Sequence, residues 1–122
     1  MRVRSYRDLE VWQRSVDLAV VCHELVKPFP AEERFGLTSQ VRRSSVSVPS
    51  NIAEGNACGF RALYASHVGR AQGSLAELET QIILADRFSY LTTRPSDFWG
   101  LSDEVSRMLV SLRRRLNARP SP

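Results

Sequence analysis

The residues able to do chemistry in this 122-residue chain are mostly arginines. Of its 17 Lys and Arg residues, all are Arg except Lys27. A guanidinium donates two parallel hydrogen bonds from a planar fork, which suits phosphate and carboxylate. Codon usage in a GC-rich genome accounts for the same bias. The densest cluster is Arg113, Arg114, Arg115 and Arg119. Cations at a helix C-terminus gain about 0.3–1 kcal/mol each from the helix dipole. The cluster therefore reads equally as helix stabilisation and as an RNA contact. Arg42 and Arg43 form a second pair, beside a polar row of Gln40, Arg43, Ser47, Asn51 and Glu54. Spacings of three and four put that row on one helix face. It reads as a phosphate-facing or partner-facing stripe, or as a polar subunit contact or solvated face. Arg43 and Glu54 stand about 16 Å apart along the axis and cannot pair. No exposed aromatic is evident for base stacking, which argues against sequence-specific reading of single strands.

Other chemistry is poorly represented. His23 and His67 lie near apolar seams, where a packed, hydrogen-bonded histidine is the ordinary case. Cys22 and His23 point about 100° apart on a helix and make a poor chelate. The paired Glu-x-x-His motifs of di-iron bundles are missing. Glu77 and Glu79 are two apart and face different sides, so they form no acid–base pair. No nucleophile elbow is present. We expect no catalytic residue, no metal and no cofactor.

Composition bounds the rest. The formal charge is +4, with 43% hydrophobic and 25% charged residues. That balance and length fit one globular domain. The longest stretch without a charge, Ser44 to Ala53, is too short for a bilayer span. The basic N-terminus has no apolar segment behind it, so a cytoplasmic location is expected. Two cysteines, Cys22 and Cys58, make neither a disulfide framework nor a zinc site.

The elements that must position these residues are helices. The first runs over about 8–27, with Leu9, Trp12, Val16, Ala19, His23 and Val26 on one face. A second apolar row, Val11, Leu18, Cys22 and Leu25, lies beside it and is more than one neighbour can cover. Ser5 is placed to cap it. The second helix, about 34–54, has Leu37, Val41, Ser44 or Ser45, Val48 and Ile52 as its seam. Serines and an internal Pro49 make it a poor helix, expected to be kinked or split at the proline and helical only because its neighbours hold it. The third, about 60–91, carries Tyr64, Val68, Ala71, Leu75, Leu78, Ile82 and Ala85 without a miss. Gly69 and Gly73 interrupt it at a cost of about 1 kcal/mol each. With Ala62, Ala65 and Ala76 they form a small-residue strip that admits a second helix closely. The fourth, about 96–116, is capped by Ser96 and has Phe98, Leu101, Val105, Met108, Leu112 and Leu116 as its seam. Residues 117–122 read as a frayed tail. Short connections imply one domain, an antiparallel up-down four-helix bundle with a core of about 6–116.

Several blocks carry a resemblance. They are Tyr6-Arg7-Asp8-Leu9-Glu10-Val11-Trp12-Gln13, the run from Glu32 to Arg43, Val46 to Gly55 with its Pro49-Ser50-Asn51, and Gly73 to Thr80. Together they resemble the four helix bundle proteins, also called 23S rRNA intervening-sequence proteins, over about residues 5 to 116. The resemblance implies the same bundle, a ring-shaped homo-oligomer that is usually a pentamer, and no assigned enzyme activity. Some such proteins are encoded inside intervening sequences of large-subunit rRNA genes. Related accessory proteins of diversity-generating retroelements bind a reverse transcriptase and nucleic acid through basic surfaces.

The reading is a non-catalytic homo-oligomeric bundle that binds RNA or DNA through Arg42, Arg43, Arg113, Arg114, Arg115 and Arg119. Its expected subunit contacts are Val11, Leu18, Cys22, Leu25, Gly69 and Gly73. The alternative is a protein-interaction scaffold, for instance one docking a reverse transcriptase, without nucleic-acid contact. No membrane partner is expected.

Overall fold

A computed structural model describes residues 5–118. Among them are four α-helices and no strand: α1 (Glu10–Leu25), α2 (Leu37–Ala57), α3 (Arg61–Arg87) and α4 (Ser96–Asn117). The all-α bundle expected from the periodicity is the fold. The predicted helices differ from these by one to four residues at their ends, except at Ser96, where α4 begins; Ser96 is the first helical residue rather than the cap, because Pro95 holds the cap position and no side chain caps it. Asn117 closes α4, and residues 119–122 of the expected tail lie outside the described residues.

The ends have identifiable causes. Ser5 caps a 3₁₀ turn, Tyr6–Asp8, rather than α1 itself, its Oγ accepting from the Arg7 amide at 3.1 Å. Glu33 Oε1 accepts from the Leu37 amide at 3.1 Å and so takes one free donor at the start of α2. Its other carboxylate oxygen accepts from the Tyr90 hydroxyl at 2.9 Å, tying that start to the chain beyond α3. The Glu33 carboxylate thereby raises the Tyr90 phenol above its ordinary pKa. A Cβ on Gly36 would lie 2.5 Å from Glu33 Oε1, so the glycine makes room for this cap. Helix α3 stops four residues before the predicted end. Ser89 takes φ 62°, and the Tyr90 amide reaches back to the Ala85 carbonyl at 2.9 Å. This is a Schellman stop with serine where glycine is usual.

Each helix packs on its sequence neighbours, and α1 also packs on α4; the backbones of α1 and α3, and those of α2 and α4, stay apart. These two pairs are therefore diagonals of the bundle. Across α2 and α3 the residue numbers pair in opposite order: Ser44 with Glu77, Ser47 with Ser74, Asn51 with His67. Leu18, Val41, Val48, Ile52, Val68, Leu78, Ile82, Phe98, Val105 and Leu109 are fully buried between the helices.

Helix α2 passes through Pro49 without interruption, so it is not split there. Pro49 is buried and has no N–H to donate to the Ser45 carbonyl. The neighbouring polar side chains bond other carbonyls: Ser45 Oγ donates to Arg42 O at 3.0 Å, and Asn51 Nδ2 to Ser47 O at 2.9 Å.

Helix α1 turns a different face inward from the one expected. Val11, Ser15, Leu18 and Cys22 are buried, whereas Leu9, Trp12 and Val16 are only partly covered and His23 is exposed. Two adjacent apolar stripes satisfy the same period. The small Ser15, its hydroxyl bonded to Trp12 O at 2.9 Å, lets the Val11–Cys22 row approach the core.

Two glycines in long helices make opposite predictions. A Cβ on Gly55 would lie 2.8 Å from His67 Cβ, where α2 meets α3, whereas one on Gly73 would meet open space. Gly55→Ala is expected to cost about 1–3 kcal/mol through forced separation of the helices. Gly73→Ala should stabilise by about 1 kcal/mol. Urea unfolding of the two variants measures both.

Burial pushes the Cys22 thiol from its ordinary 9.0 up to about 12. The folded thiol stays neutral while the unfolded one ionises near 9, so the contribution is whole below that pH and is lost as pH rises toward 12. Denaturant unfolding from pH 7 to 10.5 should show stability falling above pH 9, and less steeply in Cys22→Ala.

Candidate nucleic-acid interface

The C-terminal turns of α4 place the arginine cluster. Leu112 is buried and Leu116 partly so, which leaves Arg113, Arg114 and Arg115 exposed. They are not equivalent. Arg113 folds over α3, its Nη1 donating to Gln72 Oε1 at 2.8 Å. Gly69 lies beneath it, where a Cβ would come 3.0 Å from Arg113 Nη2. Gly69 thus admits an arginine side chain of the same chain rather than a second helix. Arg114 and Arg115 make no ion pair among the described residues, unlike Arg14, Lys27 and Arg107, which pair with Asp17 and Glu104, Glu24 and Asp103. Arg119 lies outside the described residues.

Arg61, at the start of α3, joins this cluster although the sequence reading missed it. Its Nε donates to Leu116 O at 2.8 Å and its Nη2 to Arg115 O at 2.5 Å. These are terminal carbonyls of α4, where the helix dipole is negative. The two partners are 55 and 54 residues away in the chain. Local spacing carries no signal for such a pair.

Arg42 and Arg43 are exposed on α2 and make no ion pair among the described residues. Because α2 and α4 are diagonal, these arginines and those of α4 stand on separate corners. The fold does not bring the two groups into one patch.

The polar row of α2 meets α3 within the same chain. Ser44 Oγ donates to Glu77 Oε1 at 3.2 Å, and the hydroxyls of Ser47 and Ser74 are hydrogen-bonded to each other at 2.8 Å. Asn51 Oδ1 lies 3.1 Å from His67 Nδ1, and Glu54 Oε2 lies 3.8 Å from the same nitrogen. Asn56 Nδ2 donates to the Tyr64 hydroxyl at 3.4 Å. Beside this seam opens a groove of about 720 Å³, lined among others by Gln40, Arg43, Ser74, Glu77, Gln81 and Leu84. Gln81 is 7% exposed and its Oε1 has no hydrogen-bond partner.

The residues expected at subunit contacts do not share one exposed surface. Val11, Leu18 and Cys22 belong to the protomer's own core and offer nothing to another copy. Their row won the inward position on α1. Leu25 is partly buried against that core, and Gly73 is exposed. The exposed large aliphatic side chains are others: Val20 on α1, Val46 on α2, Leu63, Ile83 and Leu84 on α3, and Val110 on α4. Besides Trp99 in the first turn of α4, at 37%, three aromatics are exposed: Phe35 at 90%, Phe60 at 68% and Phe88 at 53%. This corrects the expectation that no exposed aromatic is available for stacking. All three sit at helix ends, where periodicity says nothing about burial. Among the described residues no three His, Cys, Asp or Glu side chains gather into a metal site.

The model of the 23S rRNA-intervening sequence protein family matches residues 7–111. The chain belongs to this family. A crystal structure at 1.70 Å of a protein of unknown function, from the S23 ribosomal protein family of Bacteroides thetaiotaomicron, has the same fold, with a TM-score of 0.77. It is 25% identical, and the match covers 85% of this chain and 98% of that one. No curated protein matches. The family match spans Arg42, Arg43 and Arg61 and stops at residue 111, before Arg113, Arg114 and Arg115.

Removing the Arg61 guanidinium is expected to free the last turn of α4. Arg61→Ala should cost about 1 kcal/mol. Amide exchange should quicken in the last turn of α4 and stay unchanged in the middle of α2. Unchanged exchange at the α4 end would show that Arg61 does not hold it.

Proposed function

We propose that this family member is a non-catalytic, cytoplasmic RNA-binding module that works as a homo-oligomer. The observation that carries the reading is the corner built by Arg61, Arg114 and Arg115. Three guanidiniums stand at one helix end, and none is neutralised by a carboxylate among the described residues. A phosphate there gains charge-assisted hydrogen bonds without breaking an existing ion pair. Arg42 and Arg43 supply a second contact on the diagonal corner, so a strand bound to both has to pass around the bundle. Copies arranged in a ring repeat each corner and turn modest single sites into one charged rim.

A second reading, a scaffold for a partner protein without nucleic-acid contact, draws on Val20, Val46, Leu63 and Val110. At least one exposed apolar side chain on every helix gives sister copies or another protein something to cover. Sedimentation equilibrium reads the association directly. A protomer mass at micromolar concentration contradicts the oligomer.

Fluorescence anisotropy with a labelled U12 RNA, titrated from 50 to 300 mM salt, tests the RNA reading. Affinity should fall steeply with salt, and Arg114→Ala/Arg115→Ala should reduce the log–log slope by about 1.4, at about 0.7 per lost phosphate contact. No binding at 50 mM salt, or an unchanged slope in the double variant, refutes it.

A further inference from the structure

We propose that the groove between α2 and α3 is a pocket for one unpaired guanine base of the bound RNA. This rests on the RNA reading and adds a base specificity to it. The argument starts from two opposite charges that do not meet. Arg43 and Glu77 line the same groove, one on each helix. They are close in the fold, since Ser44, next to Arg43, hydrogen-bonds Glu77 at 3.2 Å. Yet they form no ion pair among the described residues, while other arginines of the chain find their carboxylates. Ser44 donates to one oxygen of Glu77, and the other has no donor among the described residues. Gln81 also lines the groove, is 7% exposed, and has a covered Oε1 with no hydrogen-bond partner among the described residues. A buried acceptor left unmade is costly, and an incoming donor removes that cost.

The groove therefore offers a guanidinium from one wall and unfilled acceptors from the other. The ligand that answers it carries acceptors along one edge and donors along the next. Guanine does so: O6 and N7 accept from an arginine fork, and N1–H with the N2 amino group donates to a carboxylate. Adenine reverses the polarity at its six-position and has no donor at positions one and two. At about 720 Å³ the groove holds a nucleotide. Leu84, 40% exposed at its edge, gives an apolar surface for the flat face of the base, and Phe88 stands one turn further along α3. Unpaired bases in RNA are read in this way, by edge hydrogen bonds and stacking together.

Two probes separate this inference from the RNA reading. The first is U12 RNA with its central residue replaced by G or by A, read by anisotropy at 50 mM salt. The G strand should bind about tenfold more tightly than the A strand, and Glu77→Gln should abolish that preference. The second is 5′-GMP against 5′-AMP, titrated into ¹⁵N-labelled protein. GMP should shift the Gln40 and Gln81 side-chain amides and the backbone around 77–81, and AMP should not. Equal shifts from the two nucleotides, shifts confined to the α4 corner, or no shift at all overturn the guanine pocket. The last result is also the one expected if a sister copy or partner protein fills the groove. U12 binding without a guanine preference leaves the RNA reading standing and removes this one. GMP-specific shifts with no binding of U12 or of the G strand remove the RNA reading and overturn the assignment of the groove to a base of bound RNA.

Discussion

Helix α2 cannot hold its own conformation, and the contact that holds it decides much of the structure around it. Five serines and Pro49 sit in its 21 residues. Against alanine, their intrinsic penalty is roughly 5 kcal/mol. Leu37, Val41, Val48 and Ile52 offset it by burial, at about 1.5–3 kcal/mol for each side chain. That burial exists only where α1 and α3 close on α2. At its C-terminal end the approach to α3 is so tight that Gly55 has no room for a methyl group. The poor helix formers are thus also the small, polar side chains that let two helices meet closely and bond across the join.

The surface follows from this packing. Serine and asparagine side chains on the α2–α3 join are used within the chain, on Glu77, Ser74 and His67. Arg42 and Arg43 stay at its outer edge, beside a groove rather than on a flat face. On the diagonal helix, the end of α4 gathers Arg114 and Arg115, and Arg61 closes over its last carbonyls. One arginine corner is organised by a helix end and the other by a polar seam. They are chemically alike and structurally independent. Arg113 shows the distinction residue by residue. It belongs to the densest run in the sequence, yet it is spent on Gln72 and on the space above Gly69.

Much of this was legible in the sequence where a residue's environment is set by its own helix. All seven positions of the α3 seam are buried or nearly so, and the α2 seam is buried at every step. Ser96 marked the start of α4. Helix α1 carried two apolar stripes, and the choice between them belongs to its neighbours, so the row assigned to subunit contacts is the core. The end of α3 lacked its usual signal because serine, not glycine, takes the left-handed position. Gly69 was recognised as needing an explanation, but the explanation is a side chain from 44 residues further along. Arg61 acting on the end of α4, the unpaired Gln81 oxygen and the exposed Phe35 all depend on which segments the fold brings together or leaves uncovered. No local pattern encodes that.

The dependence of α2 on α3 is tested most directly by native-state hydrogen exchange, followed amide by amide with increasing denaturant. The account predicts that the α2 amides from 41 to 55 and their neighbours in α3 open together in one cooperative unit, and that a peptide of residues 37–57 alone shows no helix by circular dichroism. Protection of α2 that survives the opening of α3, or a helical isolated peptide, would contradict it.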